Sequence, residues 1–159
     1  MFEKTTISKN NFYNDLIMQL EPLLEDAPTQ ISQLANTSAL LNVYLENINW
    51  VGFYLYDKNQ LVLGPFQGLP ACTRIAMGKG VCGTSAIKQK VIRVEDVHLF
   101  PGHIACDGAS ESEIVLPIII NNELFGVLDI DAPIKNRFSE DDEIGLIKVV
   151  ETIQKYLKK

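Results

Sequence analysis

The chain has 159 residues, of which 47% are hydrophobic and 21% charged, a composition typical of one water-soluble domain spanning residues 1–159. Its formal charge of -6, with lysine and arginine scattered along the chain, argues against nucleic acid as a partner. No apolar run approaches the roughly 20 residues that cross a bilayer, so no membrane insertion is expected.

The N-terminal segment and the cysteines indicate the compartment. Residues 1–6 lack the charged start and apolar core of a signal peptide, which predicts a cytoplasmic protein. A structural disulfide framework is not expected there, and three cysteines, Cys72, Cys82 and Cys106, cannot all pair with one another. We therefore expect them to be free, redox-active or metal-binding.

Two helices are predicted at the start of the chain, where apolar residues recur at helical spacing. The first covers about residues 8–24, and Pro22 could end or kink it. The second runs to about Glu46 and is capped by Asp26 or Thr29. Both helices present one apolar face for burial.

Strands follow, because the apolar period changes to two. Four segments form two predicted antiparallel hairpins, at residues 50–56 with 61–66 and 114–120 with 124–130. Between the hairpins, residues 68–100 combine loops, a glycine-bracketed turn, a short helix and a strand at 91–94. Cys72 and Cys82 are predicted in the irregular parts of this region.

A last helix is predicted after Phe138, with Ser139 and Asp142 in a capping arrangement. Helices and strands do not alternate along the chain, which argues against a parallel α/β fold and predicts an α+β domain. Its terminal helices lie on one face of a single antiparallel sheet. The ligand-binding loops, with all three cysteines, lie on the other face.

The segment 103–113 places Cys106 in a loop of small residues, just before a strand that opens with Glu113. Solvent can reach a thiol in such a loop, which suits chemistry better than packing. Asp129 and Asp131 lie two apart on the next strand and point to one face, and the hairpin brings Glu113 near them. Like charges in a partly desolvated pocket raise one another's pKa, so at least one carboxyl is expected to stay protonated at about pH 7.

Aromatic and glycine-rich segments complete the candidate pocket. Trp50 and Tyr54, four apart on a strand, face one side and form a wall suited to a ligand with one apolar and one charged end. The turn at residues 78–83 can present backbone N–H groups to a carboxylate. No metal site is expected, because His98 and His103 are not accompanied by a Cys-x-x-Cys pair, and His103 is predicted to hydrogen-bond within its own loop.

Six sequence blocks, in the expected order, carry a family resemblance. Together they resemble the free methionine-(R)-sulfoxide reductases, which are built on a GAF domain, so the predicted α+β sheet is expected to be GAF-like. The resemblance covers nearly the whole chain from the second predicted helix onward. The blocks are residues 49–54, 64–68, 78–84, 103–107, 112–115 and 126–131.

This resemblance implies that protein thiols reduce the sulfoxide of free methionine without a bound cofactor. Cys106 would attack the sulfoxide sulfur, release methionine and become a sulfenic acid. Cys82 or Cys72 would then capture the sulfenic acid as a disulfide, and thioredoxin would restore the dithiol.

The acids and Trp50 also receive roles. The sulfoxide oxygen gains negative charge during the attack, so one of Glu113, Asp129 and Asp131 serves as proton donor while the others bind the substrate ammonium. The resemblance places Trp50 against the substrate methyl group, and it alone supports selectivity for the R epimer. The same carboxylates disfavour a thiolate at Cys106, and we hypothesise that the ammonium neutralises them, so that the thiolate forms only when substrate binds.

Two other functions are compatible with the same fold. Many GAF domains are regulatory modules that bind small ligands such as cyclic nucleotides. Acidic residues in the pocket would repel a cyclic phosphate, which favours the enzyme. The other alternative is a redox sensor, whose cysteines form a disulfide without turning over a substrate. A homodimer through the N-terminal helices is a further expectation.

Overall fold

The computed structural model describes residues 1–104 and 106–157, and within them it contains four α-helices and six strands. The helices are α1 (Phe12–Asp26), α2 (Gln30–Tyr44), α3 (Gly80–Lys88) and α4 (Glu140–Tyr156). The strands are β1 (Trp50–Asp57), β2 (Gln60–Gln67), β3 (Arg74–Ala76), β4 (Ile92–Val94), β5 (Ser112–Ile120) and β6 (Glu123–Ala132). Short 3₁₀ turns lie at Lys9–Asn11 and Val97–Leu99.

The six strands form one sheet in the order β3-β2-β1-β6-β5-β4, and neighbouring strands are antiparallel. Helices α1, α2 and α4 pack on one face through an apolar cluster that includes Leu16, Leu34 and Leu146. The connecting loops and α3 cover the other face, where a second cluster contains Trp50 and Tyr54. The predicted α+β class, with the terminal helices and the loops on opposite faces, is confirmed.

The ends of the helices follow local capping. Pro22 lies inside α1, which continues past it. Of the two predicted caps of α2, Thr29 is the one used, and its hydroxyl accepts a hydrogen bond from the backbone N–H of Ser32 at 3.2 Å. Ser139 and Asp142 form a reciprocal capping box at the start of α4. In the part of the chain that the structure describes, no helix is long and apolar enough to span a membrane.

The middle of the chain is more regular than predicted. The segment Arg74–Ala76 forms an edge strand that pairs with β2. Helix α3 begins at Gly80, whose φ of +61° turns the chain directly into the helix. Cys82 therefore lies in the first turn of α3, and its predicted place in an irregular segment is wrong. Cys72 and Cys106 do lie in loops.

Candidate active site

One pocket on the loop face of the sheet brings together most of the predicted site residues. Its lining comes from β1, β5, β6, α3 and the loops beside them. The predicted residues that line it are Trp50, Tyr54, Cys82, Cys106, Glu113, Asp129 and Asp131. Cys72 does not line the pocket itself, but it is bonded covalently to Cys106, which does.

The register of the sheet explains how the three acids meet. Asp131 on β6 pairs with Glu113 on β5 and with Trp50 on β1, so three site residues form one row across the sheet. Asp129 pairs with Gly52 and, two residues from Asp131, points to the same face. Glu113 and Asp129 are each only 6% exposed. The structure thus groups the three carboxyls as the hairpin register predicted, with Glu113 and Asp129 buried and Asp131 half-buried.

Burial and mutual charge raise the pKa of all three carboxyls. For Glu113, burial is the largest cause and the charges of Asp129 and Asp131 add to it, so its pKa lies well above the ordinary value. Burial raises the pKa of Asp131 in the same way, with the charge of Asp129 as the next cause. Burial raises the pKa of Asp129 only to about 6, because hydrogen bonds from Glu113 and other neighbours favour its ionised form. Asp129 is therefore the carboxyl of the group that ionises most readily, and Glu113 and Asp131 hold their protons more tightly than an ordinary carboxyl does.

Asp129 also has an unused acceptor. Its Oδ1 atom is buried and has no hydrogen-bond partner among the described residues. A buried polar atom without a partner destabilises the fold, especially on an ionised group. Because Asp129 lines the pocket, this oxygen suits a bound ligand that donates a hydrogen bond and carries positive charge.

Cys82 contacts the carboxyl group directly. Its Sγ lies 3.9 Å from Oε1 of Glu113, and the residue is 4% exposed. Burial raises the pKa of the Cys82 thiol well above its ordinary value, and the charges of Asp129 and Glu113 raise it further. The thiol therefore stays protonated and donates a hydrogen bond to an acid.

Cys72 and Cys106 form a disulfide, with 5.4 Å between their Cα atoms. Sequence reasoning left both Cys72 and Cys82 open as partners of Cys106, and the structure pairs Cys72. Cys82 is a free thiol. The bond links the loop after β2 to the loop before β5, and both sulfur-bearing residues are half-buried.

The loop that carries Cys106 is held by a residue that sequence reasoning missed. Asn49, just before β1, donates from Nδ2 to Oδ2 of Asp107 at 2.8 Å and to Oγ of Ser110 at 3.2 Å. Asp107 also accepts from the backbone N–H of Ala109 at 2.9 Å. The sequence feature that could have identified Asn49 as a site residue is its position next to Trp50, in the first of the six blocks that carry the family resemblance.

Trp50 and Tyr54 form an aromatic wall, as expected, and also carry polar contacts that were not predicted. Their rings stack 5.8 Å apart, Phe66 stacks on Trp50 at 5.1 Å, and Trp50 and Tyr54 are each 2% exposed. Trp50 donates from Nε1 to the carbonyl of Leu69 at 3.1 Å. Tyr54 donates from its hydroxyl to the carbonyl of Cys72 at 2.9 Å. The polar ends of the wall therefore hold the loop that bears Cys72.

The start of α3 also lines the pocket, through Lys79 and Gly80. The first N–H groups of a helix have no partner inside it, so donors for the predicted carboxylate contact are available here. That contact stays a prediction. His103 lines the same pocket, and burial lowers its pKa, with His98 as a smaller cause. Its backbone N–H bonds the carbonyl of Phe100 at 3.1 Å, within its own loop.

Comparison with known proteins covers nearly the whole chain. The family profile of the GAF domain matches residues 19–153. The chain is 51% identical to the free methionine-R-sulfoxide reductase of Escherichia coli over 151 residues, which make up 95% of this chain and 92% of that protein.

Solved structures show the same likeness. The fRMsr of Staphylococcus aureus in complex with substrate has 52% sequence identity and a TM-score of 0.88, over 97% of this chain and 100% of that one. The free methionine-R-sulfoxide reductase from Neisseria meningitidis in complex with its substrate has 38% identity and a TM-score of 0.92, over 99% and 95% of the two chains.

Proposed function

The chain belongs to the GAF-domain free methionine-(R)-sulfoxide reductases, and from this membership we propose that it reduces free L-methionine-(R)-sulfoxide to methionine with its own cysteines. The observation that carries the proposal is that Cys106, a cysteine able to form a disulfide, lines the same pocket as the three carboxyls of Glu113, Asp129 and Asp131. Sulfoxide reduction needs a thiol to supply electrons and an acid to protonate the departing oxygen. This pocket contains both.

Each part of the zwitterionic substrate has a counterpart in the pocket. The ammonium donates to the unpartnered Oδ1 of Asp129 and neutralises its charge. The ring of Trp50 contacts the methyl group. The N–H groups in the first turn of α3 bind the α-carboxylate, which the partial positive charge at a helix N-terminus favours.

In the first step, the thiolate of Cys106 attacks the sulfoxide sulfur and forms a transient sulfur–sulfur bond, while protonated Glu113 delivers a proton to the oxygen. The oxygen then transfers to the sulfur of Cys106: the substrate sulfur–oxygen bond and the sulfur–sulfur bond break, a sulfur–oxygen bond forms on Cys106, and methionine leaves with Cys106 as a sulfenic acid. Because the pKa values of Glu113 and Asp131 lie well above their ordinary values, Asp129 is the carboxyl that most readily opposes the thiolate, and the bound ammonium offsets its charge. The thiolate of Cys106 is therefore favoured when substrate is bound.

In the second step, the thiolate of Cys72 attacks the sulfenic sulfur, and the oxygen takes up a proton and leaves as water. The product is the Cys72–Cys106 disulfide. Thioredoxin, a dithiol of the cytoplasm, then returns both cysteines to thiols and is itself oxidised. One reductant disulfide is formed for each methionine released.

A thioredoxin-coupled assay tests the function. The R and S epimers of methionine sulfoxide are compared, both as the free amino acid and within a peptide. We expect turnover of the free R epimer alone, and loss of that turnover in Cys106→Ser with the fold retained. Turnover by Cys106→Ser would exclude this residue as the nucleophile, and inactivity of the wild type on all four substrates would exclude the proposed reaction.

The disulfide also supports a second candidate function, a redox sensor that cycles without substrate. A sensor would form the Cys72–Cys106 bond when treated with an oxidant but would release no methionine from the sulfoxide. A homodimer through α1 and α2 stays a prediction. Met18 and Ile31, on these two helices, are 70% and 71% exposed, and sedimentation of Met18→Glu would report a loss of dimer.

A further inference from the structure

We propose that Tyr54 is a positioning residue for the second step of the reaction, in which it holds Cys72 within reach of the sulfenic acid on Cys106. This inference rests on the proposed function. It assigns the Tyr54 hydroxyl a role distinct from that of its ring, which lines the pocket.

The contact that carries the inference is made at Cys72 itself. The hydroxyl of Tyr54 donates to the backbone carbonyl of Cys72 at 2.9 Å. Tyr54 lies on β1, which pairs with β2 on one side and β6 on the other, and its side chain is buried. Burial raises the pKa of the phenol, with the nearby carboxylates as further causes, so the hydroxyl stays a donor. A rigid strand thus presents a fixed donor to the loop.

The loop that bears Cys72 has few other attachments. It runs from Gly68 to Thr73, between β2 and β3. Among the described hydrogen bonds, residues 68–72 are tied to the sheet by Trp50, at the carbonyl of Leu69, and by Tyr54, at that of Cys72. At Gly68, with φ of +140°, an added Cβ would lie 2.5 Å from Cδ1 of Trp50. The two aromatic side chains therefore determine the path of this loop.

The Tyr54 contact matters most when the disulfide is open. After methionine leaves, Cys72 and Cys106 are not bonded, and Cys72 must reach the sulfenic sulfur of Cys106. Holding a nucleophile near its target speeds an intramolecular reaction, and a loosened loop loses part of that advantage. The first step involves Cys106 and Glu113 and forms no bond to Cys72. Loss of the hydroxyl should therefore slow the second step more than the first.

The test uses the reduced full-length protein and two matched variants. Tyr54→Phe keeps the ring of the wall and removes the hydroxyl. Tyr56→Phe makes the same change at an exposed tyrosine of the same strand, and serves as the control. One equivalent of free methionine-(R)-sulfoxide is added without reductant. Methionine release is followed by chromatography, the sulfenic acid by dimedone trapping, and the disulfide by peptide mass mapping.

We expect the ratio of the rate of disulfide formation to the rate of methionine release to fall about fivefold to tenfold in Tyr54→Phe, as the loss of one hydrogen bond predicts. Sulfenic acid should accumulate in this variant, whereas Tyr56→Phe should keep the wild-type ratio. An unchanged ratio in Tyr54→Phe would overturn the inference, and Tyr54 would then only line the pocket with its ring.

Hydrogen peroxide separates this inference from the proposed function. Peroxide oxidises the Cys106 thiol to the same sulfenic acid and releases water, so the second step can be started without the sulfoxide. If the wild type releases no methionine, the proposed function fails. The peroxide reaction still compares the rate at which the variants form the Cys72–Cys106 disulfide. Slow disulfide formation in Tyr54→Phe would support the positioning role, and disulfide formation at the wild-type rate would refute it. Should Tyr54→Phe fail to fold, Tyr54→Met, which also removes the hydroxyl and fills the buried site with an adaptable apolar side chain, gives the same peroxide comparison.

Discussion

At the residue scale, the three carboxyls of the pocket share one location but not one protonation state. All are desolvated, yet Asp129 accepts hydrogen bonds from its neighbours and stays the most acidic, while the pKa of Glu113 lies well above its ordinary value. The pocket can therefore place a readily ionised carboxyl beside one that holds its proton tightly, as the proposed reaction requires. Similar side chains acquire different functions from their position in the cluster.

Glu113→Gln tests the proton donor. The amide has almost the same shape but cannot deliver a proton to the sulfoxide oxygen, so we expect kcat/KM to fall by about 100-fold or more. The thioredoxin-coupled assay measures kcat/KM, and Glu123→Gln, at the exposed start of β6, is the matched control. A Glu113→Gln enzyme with the wild-type rate would assign the proton transfer to another group.

The raised pKa of Asp129 predicts a dependence of stability on pH. Its pKa of about 6 in the folded protein lies above the ordinary value of 3.8, so the folded state binds this proton more tightly than the unfolded state. The stability it contributes is present below pH 3.8 and is lost as the pH rises through about 6. Urea denaturation should show the free energy of unfolding of the wild type declining over this range relative to Asp129→Asn. A constant difference between the two proteins would contradict the assignment.

Cys82→Ala tests whether this buried thiol takes part in the disulfide chemistry. Because Cys82 donates to an acid and stays protonated, we expect Cys82→Ala to form the Cys72–Cys106 bond after one turnover, as the wild type does. Cys72→Ala should instead accumulate trappable sulfenic acid. Mass mapping distinguishes the two. Accumulation of sulfenic acid in Cys82→Ala would make Cys82 a resolving residue.

At the element scale, two helices show how local sequence decides a boundary. The Ser139–Asp142 box uses Asp where Glu or Gln is more usual, and both of its reciprocal hydrogen bonds are present. Helix α3 starts at a glycine with positive φ, which brings Cys82 and the first N–H groups of the helix to the pocket in a single turn. One boundary serves stability, and the other serves the site.

Ser139→Ala tests the capping box. Loss of the hydroxyl leaves the backbone N–H of Asp142 without its cap, so we expect the free energy of unfolding to fall by about 1 kcal/mol. Urea denaturation measures this change. Ser8→Ala is the control, because Ser8 precedes a 3₁₀ turn and its side chain makes no capping bond. Equal effects of the two substitutions would contradict a specific contribution of the box.

At the scale of the whole molecule, the sheet separates stability from chemistry. The large apolar cluster with α1, α2 and α4 lies on one face, and the pocket lies on the other. The disulfide crosses the second face and joins two loops that are 34 residues apart in the chain. The bond therefore constrains loops on the pocket face, and neither of its cysteines belongs to the apolar cluster on the far face.

Reduction of this bond should lower stability without unfolding the protein. Closing a loop of this length lowers the conformational entropy of the unfolded chain, which raises the free energy of unfolding by about 3–4 kcal/mol. The oxidised form should therefore unfold at a higher urea concentration than the reduced form. In Cys72→Ser, reductant should have no effect. Equal stability of the oxidised and reduced wild type would show that strain in the folded state offsets the restriction.

Sequence alone determined the α+β class, the two hairpins, the place of the terminal helices and the acid cluster, because these follow from periodicity and from the register of a short hairpin. It also placed Cys106, Trp50 and Tyr54 in one candidate pocket. The disulfide partner of Cys106 and the ties to Leu69 and Cys72 were decided only by tertiary structure. Each of these depends on how loops far apart in the chain pack on one face of the sheet, and local residue patterns do not specify that packing.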